Sequence, residues 1–546
     1  MKIGEPSFRR IEKKPLCHVH DKVEEWEVSQ IRTSVCLNEE PLIEFEGRHY
    51  CLFHLPTYYK DFLKFDECLD GRFEEIELKV AEAEKQPNSK KLKNNLYYDF
   101  RYVWFATELD LENHTFLTHV DFSSAKFCGG ANFRSVIFST DAFFSAATFE
   151  SDVDFSSVSF FGLANFSETT FCADAYFVSS TFSDETDFTE ARFLTGAFFP
   201  SATFLSDTYF GMATFLGEAS FTSVTFSSEI NFKNSQFGKF GSADFGMSTF
   251  AGDTFFDRTR FKNWVSFNSV IFGEDSDVFF RRAFFAGSAD FAYCTAEGYI
   301  RFSRLRQGKQ NVFDFQEAAF EKANRVSFHT VDLFPNWFVN VDSRKFIFTD
   351  VKWKNLYWNH QLRNKNIQRE LQNLEDRGIK DQKRRLFSIA TRQLAVNAEE
   401  NNLYEDAAKF RYISMETRRL EDTKRTRISR LLTWLYKWTS SYGEGWSWAA
   451  GVLIGILFLF TLFYNSPFAT FERKNDKSTI AAVSSYDPTV EMNNLEGLVY
   501  SFNVALQNPD PKPFDAQTKL FVIFERILAP LQAALLALAI RRKFMR

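Results

Sequence analysis

The sequence predicts a mainly β chain: a β-solenoid, followed by an α-helical hairpin and two transmembrane helices. Three observations lead there. Phe is over-represented, at 68 of 546 residues, and through the middle of the chain it recurs at steps of five and six. A Phe-poor segment rich in helix formers comes next. Two apolar runs near the C-terminus are then long enough to cross a bilayer.

The series opens with Phe122, Phe127, Phe133, Phe138, Phe144, Phe149, Phe155, Phe160, Phe166 and Phe171 and continues unbroken to Phe237. It slips by two residues before Phe245 and again before Phe280. Two Phe in each eleven residues mean a repeat with fixed slots. A second slot lies two residues before most of these Phe and holds a small or β-branched residue, as at Ala125, Ala131, Val136, Ala142 and Ala147. Residues at i and i−2 share one face of a strand, so a large and a small side chain both point inward. The intervening Ser, Thr, Asp and Gly suit turns. Periodicity gives the residues per coil but not the cross-section.

The units "SADFGMSTF" and "SAATF" (Ser145 to Phe149) resemble the pentapeptide-repeat family in its Phe-rich variant. The resemblance covers Phe116 to Phe302 and implies a right-handed quadrilateral β-helix. The five-six alternation departs from a strict five-residue repeat. It gives about 22 residues per coil, roughly eight coils and a rod of about 40 Å at ordinary strand spacing. Residues 86–352 are expected to form the solenoid, regular over 116–302 and degenerate over 303–352. Open ends invite edge pairing, so caps are expected at both.

The composition bounds the rest. The length exceeds one ordinary domain. A hydrophobic fraction of 45% and a charged fraction of 25% exclude a mostly disordered chain. The net charge of −6 points to no nucleic-acid partner for the whole chain. Residues 116–230 do carry 14 acidic against three basic residues. Soluble members of the resembled family use such a surface to mimic DNA, but acidic solenoid faces also simply aid solubility. Met1 to His20 has no apolar core, so no signal peptide is expected.

Residues 1–85 are expected to form an N-terminal cap. The seven Cys are too few for the length to be a secreted disulfide framework, and four of them fall with four His in the first 68 residues. Cys17, Cys36, Cys51 and His54, with His20 as alternate, form a candidate structural zinc site, because C-x2-H spacing brings thiolate and imidazole to one tetrahedral ion. The alternative is a buried Cys and a turn His that pack the cap. Arg72 to Leu96 has a charged, helical pattern suited to packing on the first coil.

Residues 353–442 are expected to be a helical linker. Two amphipathic stretches meet near Asn401-Asn402, and Leu403, Ala407, Phe410 and Ser414 share one face of the second. The pair looks like a hairpin of tetratricopeptide type. Lys352 to Lys437 holds 20 basic against 11 acidic residues, and Lys424, Arg425, Arg427, Arg430 and Lys437 lie just before the first apolar run, as juxtamembrane cations do.

Residues 443–546 are expected to be a membrane domain, with spans at 446–464 and 518–540. Gly445 to Phe471 carries no charge, and Trp446, Trp448 and Tyr464 bracket its core as interfacial aromatics. Basic residues outside both ends of the pair predict that both termini are cytoplasmic. An apolar helix at 495–506 and a Pro-rich return lie between the spans. This layout resembles the two-transmembrane potassium-channel-like domain of some bacterial pentapeptide-repeat proteins. Gln507-Asn508-Pro509-Asp510 stands where the family's filter would be, so potassium selectivity does not carry over. Glu525 and Arg526 are costly in lipid. They are expected either to form an ion pair near the outer interface or snorkel to it, or, with Asn508 and Asp510, to line a polar path.

No phosphate loop, zinc-protease helix or nucleophile elbow is found, and a non-enzymatic role is expected. The resemblance implies a multi-pass protein of the bacterial inner membrane, a homo-oligomer with a channel-like domain and a cytoplasmic solenoid as sensor or interaction surface. The alternative is a membrane-tethered scaffold that binds an unknown protein partner through the solenoid.

Overall fold

The computed structural model describes residues 43–45, 48–55, 60–85, 96–308, 313–320, 325–356, 360–421, 427–469, 471, 494–509, 512–513 and 515–544. Cys17, His20, Cys36 and Asp510 lie outside them. The chain divides into two compact units: Met1–Leu333 with Lys345–Trp353, and Phe334–Arg344 with Lys354–Arg546.

The first unit is a parallel β-solenoid. Thr115–Phe116, His119–Asp121, Lys126–Phe127 and Ala131–Asn132 make one coil, and the next begins where Ile137–Phe138 pairs in parallel with Thr115–Phe116. Four parallel sheets of 10, 12, 10 and 10 strands result, one on each side. The coil is four-sided because each eleven-residue unit contains two strands and two kinds of corner.

The five-residue step turns tightly. Ala125 N–H donates to Phe122 O at 3.0 Å, with Ser124 at φ 57°, the positive third position of a type II turn. The same position is left-handed once per unit along the rod, mostly in non-glycine residues such as Ser135, Ala146, Ser157 and Glu168. The residue before the Phe secures this corner: Asp121, Asp154, Asp187 and Asp244 each accept the N–H two residues on. At the six-residue corner the carboxylate reaches the next coil instead. Asp141, Asp152, Asp174 and Asp253 accept from Leu163, Asp174, Gly196 and Asp277. Much of the acidity noted above is therefore used to hold corners.

Inside, the Phe stack in columns. In one, Phe122, Phe144, Phe166, Phe188, Phe210 and Phe232 lie 4.8–5.1 Å apart and nearly parallel. All are fully buried, as are the small residues Ala142, Val153 and Ala164. Each Phe also meets a neighbouring column edge-on, as Phe188 meets Phe199 at 89°. Both offset-stacked and T-shaped ring pairs suit the ring quadrupole. The two-residue slips leave register intact: Thr225 pairs with Thr249, and Thr254 with Val278. At the first slip Gly238 has φ 73°, and a Cβ there would meet Gly241 O at 2.4 Å, so a larger residue does not fit.

Strands continue beyond the regular repeat, from Tyr97–Asp99 to Ile347–Thr349 and Lys352–Trp353, so there are more than eight coils. Tyr98, Phe100 and Phe105 fill the core at one end, and Phe328, Phe346 and Phe348 at the other. The N-terminal end is closed by helix α1, Phe62–Glu84. It starts at Phe62, ten residues before the charged pattern suggested, and the side chain of Asp61 at its N-cap accepts from Lys64 N–H. Phe65, Leu69, Ile76 and Val80 are buried, and Phe73 packs on Phe100 and Phe116.

The second unit is helical. Helices α2 (His360–Asp376), α3 (Lys383–Glu400) and α4 (Tyr404–Glu421) come first. Ile367, Leu371, Leu374 and Phe387 form a core with Val339. Helices α3 and α4 pack as a pair in which Ser388 and Ser414 exchange hydrogen bonds. Ala407, Phe410 and Ser414 are buried; Leu403 precedes the helix and is largely exposed. Then come α5 (Arg427–Ser440), α6 (Trp446–Tyr464), α7 (Asn494–Ala505) and α8 (Ala516–Phe544).

Candidate functional site in the C-terminal unit

Helices α6 and α8 are long and apolar enough to cross a membrane. Ile454, Phe458, Leu459 and Leu462 on α6, and Ile523, Phe524, Ile527 and Leu531 on α8, are exposed. A soluble core would cover such side chains. Helix α7 packs against both, with Tyr500 and Val504 in a cluster with Phe460, Tyr464, Phe471 and Val522. Tyr500 meets Tyr464 and Phe471 edge-on at 4.9 and 4.8 Å. A bridge between Phe471 and Pro513 closes the segment that carries α7.

Glu525 is at the centre of this arrangement and fully buried. The Tyr464 hydroxyl donates to its Oε2 at 2.7 Å, and the Ser501 hydroxyl bonds its Oε1. One carboxylate thus ties all three helices, since Tyr464 is on α6, Ser501 on α7 and Glu525 on α8. A buried carboxyl group without such partners would cost several kcal/mol.

Arg526 does not pair with Glu525. It points elsewhere and donates to Gln507 O at 3.3 Å, while Gln507 Nε2 donates to the Arg526 carbonyl at 3.0 Å. Pro530 explains the second bond. It lacks the N–H that would bond the carbonyl four residues back, which is Arg526 O. Asn508 is exposed, and its N–H closes the end of α7 on Asn503 O at 2.8 Å.

Gln532 is a second helix-tying residue, one that the sequence reading missed. It is buried, and its amide donates to Thr439 O and Ala449 O, both at 2.9 Å, fixing α8 to the ends of α5 and α6. Its one signal in the sequence is a lone amide in an apolar run.

Two polar clusters connect the helical pair to α6. Glu416 is buried and accepts from Arg419, Lys437 and the Tyr442 hydroxyl at 2.7–3.0 Å. Burial pushes its carboxyl pKa up, but these hydrogen bonds outweigh burial and hold it at about 2. Arg411 grips Glu444 with Nε and Nη2, at 2.7 and 3.2 Å, and also meets Glu399. Elsewhere in this unit Glu370 is buried among Asn336 and Asn355, and burial raises it to about 7.

In the first unit Cys51 and His54 are together and buried. Cys51 Sγ lies 3.1 Å from His54 Nδ1, and His54 Nε2 lies 3.1 Å from Arg101 O. A carbonyl at Nε2 selects the tautomer in which Nδ1 is the acceptor, and here Nδ1 faces the Cys51 sulfur. Lys60 is close by, donating to Phe53 O and Trp104 O, and burial lowers it to about 7. Among the described residues no group of three or more His, Cys, Asp or Glu is placed to hold a metal ion.

No family model, curated protein or solved structure matches this chain.

Proposed function

We propose that this chain is an integral membrane repeat protein of pentapeptide-repeat type, in the bacterial inner membrane with both termini cytoplasmic. Its C-terminal helices form the subunit of a channel-like homo-oligomer, and its solenoid is the surface through which a protein partner or signal acts. The observation that carries this is the Glu525 tie. A pure anchor needs two apolar helices; it has no use for a third, short helix fixed between them by a buried carboxylate. A pore built from two-span subunits shares its axis between chains, so the mass of the purified full-length protein in detergent tests the reading. Several copies per particle are expected, and a monomer would contradict it.

A second reading has its own support. Gln507 O, at the segment where the resembled family has its filter, accepts a hydrogen bond from Arg526 at 3.3 Å. This favours a non-conducting scaffold whose spans position the solenoid for a protein partner.

For the N-terminal cap we propose a structural zinc ion held by Cys51 and His54, completed by Cys17 and Cys36, with His20 as alternate. The convergence of Cys51 Sγ and His54 Nδ1, with a carbonyl behind Nε2 to orient the ring, supports it. Zinc analysis of the purified protein is expected to find one ion per chain, lost in Cys51→Ser; a metal-free protein would contradict it.

A further inference from the structure

A groove of about 950 Å³ lies between α3, α4 and the Tyr436–Glu444 segment. Arg385 and Arg392 stand on one wall and Arg418 on the other. Arg411 at the same groove is matched by Glu399 and Glu444, which leaves the three other arginines facing Glu421. Among the described residues Arg392 and Arg418 make no ion pair. The groove therefore presents an excess of unmatched guanidinium groups, which are suited to phosphate oxygens.

A smaller cavity of about 320 Å³ adjoins it, shares Met415, Arg418 and Tyr436, and adds Leu432 and Thr433 of α5. The groove thus continues into a cleft where Met415 and Leu432 supply apolar surface. Helix α5 has the other features of a helix lying in a membrane surface. Leu431, Trp434, Leu435 and Trp438 fall at helical spacing and are exposed, while Lys437 turns back to Glu416. Trp448 Nε1, in the first turn of α6, donates to Trp438 O. That bond sets α5 at the depth where the apolar helix begins, the level at which Trp is favoured in a bilayer.

We propose that this groove binds the headgroup of an anionic phospholipid, with Arg385, Arg392 and Arg418 on the phosphate and an acyl chain leaving past Leu432 into the layer occupied by α5. The inference rests on the membrane reading of α6 and α8. The headgroup would lie against Tyr442 and Glu444, which connect the helical pair to α6, so lipid binding would couple these two parts of the unit.

The test uses the full-length chain in a neutral detergent. Binding of dioctanoyl phosphatidylglycerol, dioctanoyl phosphatidylcholine and glycerol 3-phosphate is measured by calorimetry. The expected result is saturable binding of phosphatidylglycerol alone, weakened about tenfold or more in Arg392→Ala/Arg418→Ala and unchanged in Lys380→Ala. Equal binding of phosphatidylcholine, equal binding of glycerol 3-phosphate, or no effect of the double substitution would overturn the proposal. Alkaline carbonate extraction of membranes containing the same protein separates the two failures. Release of the chain would overturn the membrane reading and this proposal together. Retention without phosphatidylglycerol selectivity would overturn this proposal only.

Discussion

Gln507 supplies to the Arg526 carbonyl the hydrogen bond that Pro530 cannot, at 3.0 Å. Helix α8 keeps a proline inside an apolar run because a side chain from the end of α7 repairs the break. The same bond fixes the loop after α7 to α8, one residue from Glu525.

This relationship predicts a specific coupling. Gln507→Ala should destabilise the detergent-solubilised protein by about 1 kcal/mol, the usual value of such a bond. Pro530→Ala restores the missing N–H, so Gln507→Ala in that background should cost much less. A double-substitution cycle on thermal unfolding reads this directly. Additive effects would mean that the bond does not serve the proline.

The Phe columns predict a steep contrast between inside and outside. Phe210 is fully buried between Phe188 and Phe232, whereas Phe161 is 59% exposed. Phe210→Ala should cost about 3–5 kcal/mol, and Phe161→Ala should stay within about 0.5 kcal/mol. Each coil contacts only its neighbours, so the loss should appear as local opening. Hydrogen exchange is expected to speed up in the coils around Phe210 and not at Phe138.

Two buried carboxyl groups predict opposite pH dependences in the helical unit. Glu416 is held at about 2, below its ordinary 4.5. Its contribution is present above pH 4.5 and is lost as pH falls through 2. Glu370 is raised to about 7. Its contribution is full below pH 4.5 and is lost as pH rises through 7. Thermal stability should therefore decline from pH 5 to pH 8, and Glu370→Gln should flatten that slope. An unchanged slope in the variant would assign the decline to other groups.

The solenoid was legible because one chemical requirement recurs. Every coil needs the same large and small residues inward, so Phe122 and its successors mark the core without a structure. The outer coils were harder to read, since Tyr98 or Phe328 can close a core without keeping the period. The corner carboxylates were visible only as acidity. Nothing in the spacing says that Asp141 reaches the next coil while Asp154 caps its own turn. In the C-terminal unit the carboxyl group of Glu525 stood out within an apolar run, but its partners did not. Tyr464 and Ser501 are distant in sequence and ordinary in composition, and only packing brings them to one carboxylate.

The most direct test of the central claim is ionic current across a planar bilayer holding the purified full-length protein, beside a chain ending before Gly445. The account predicts unitary currents from the full-length protein and none from the shortened chain. It also predicts altered currents in Glu525→Gln, which weakens the tie between α6, α7 and α8. A silent full-length protein that purifies as a monomer would contradict the channel-like reading and leave the membrane-tethered scaffold.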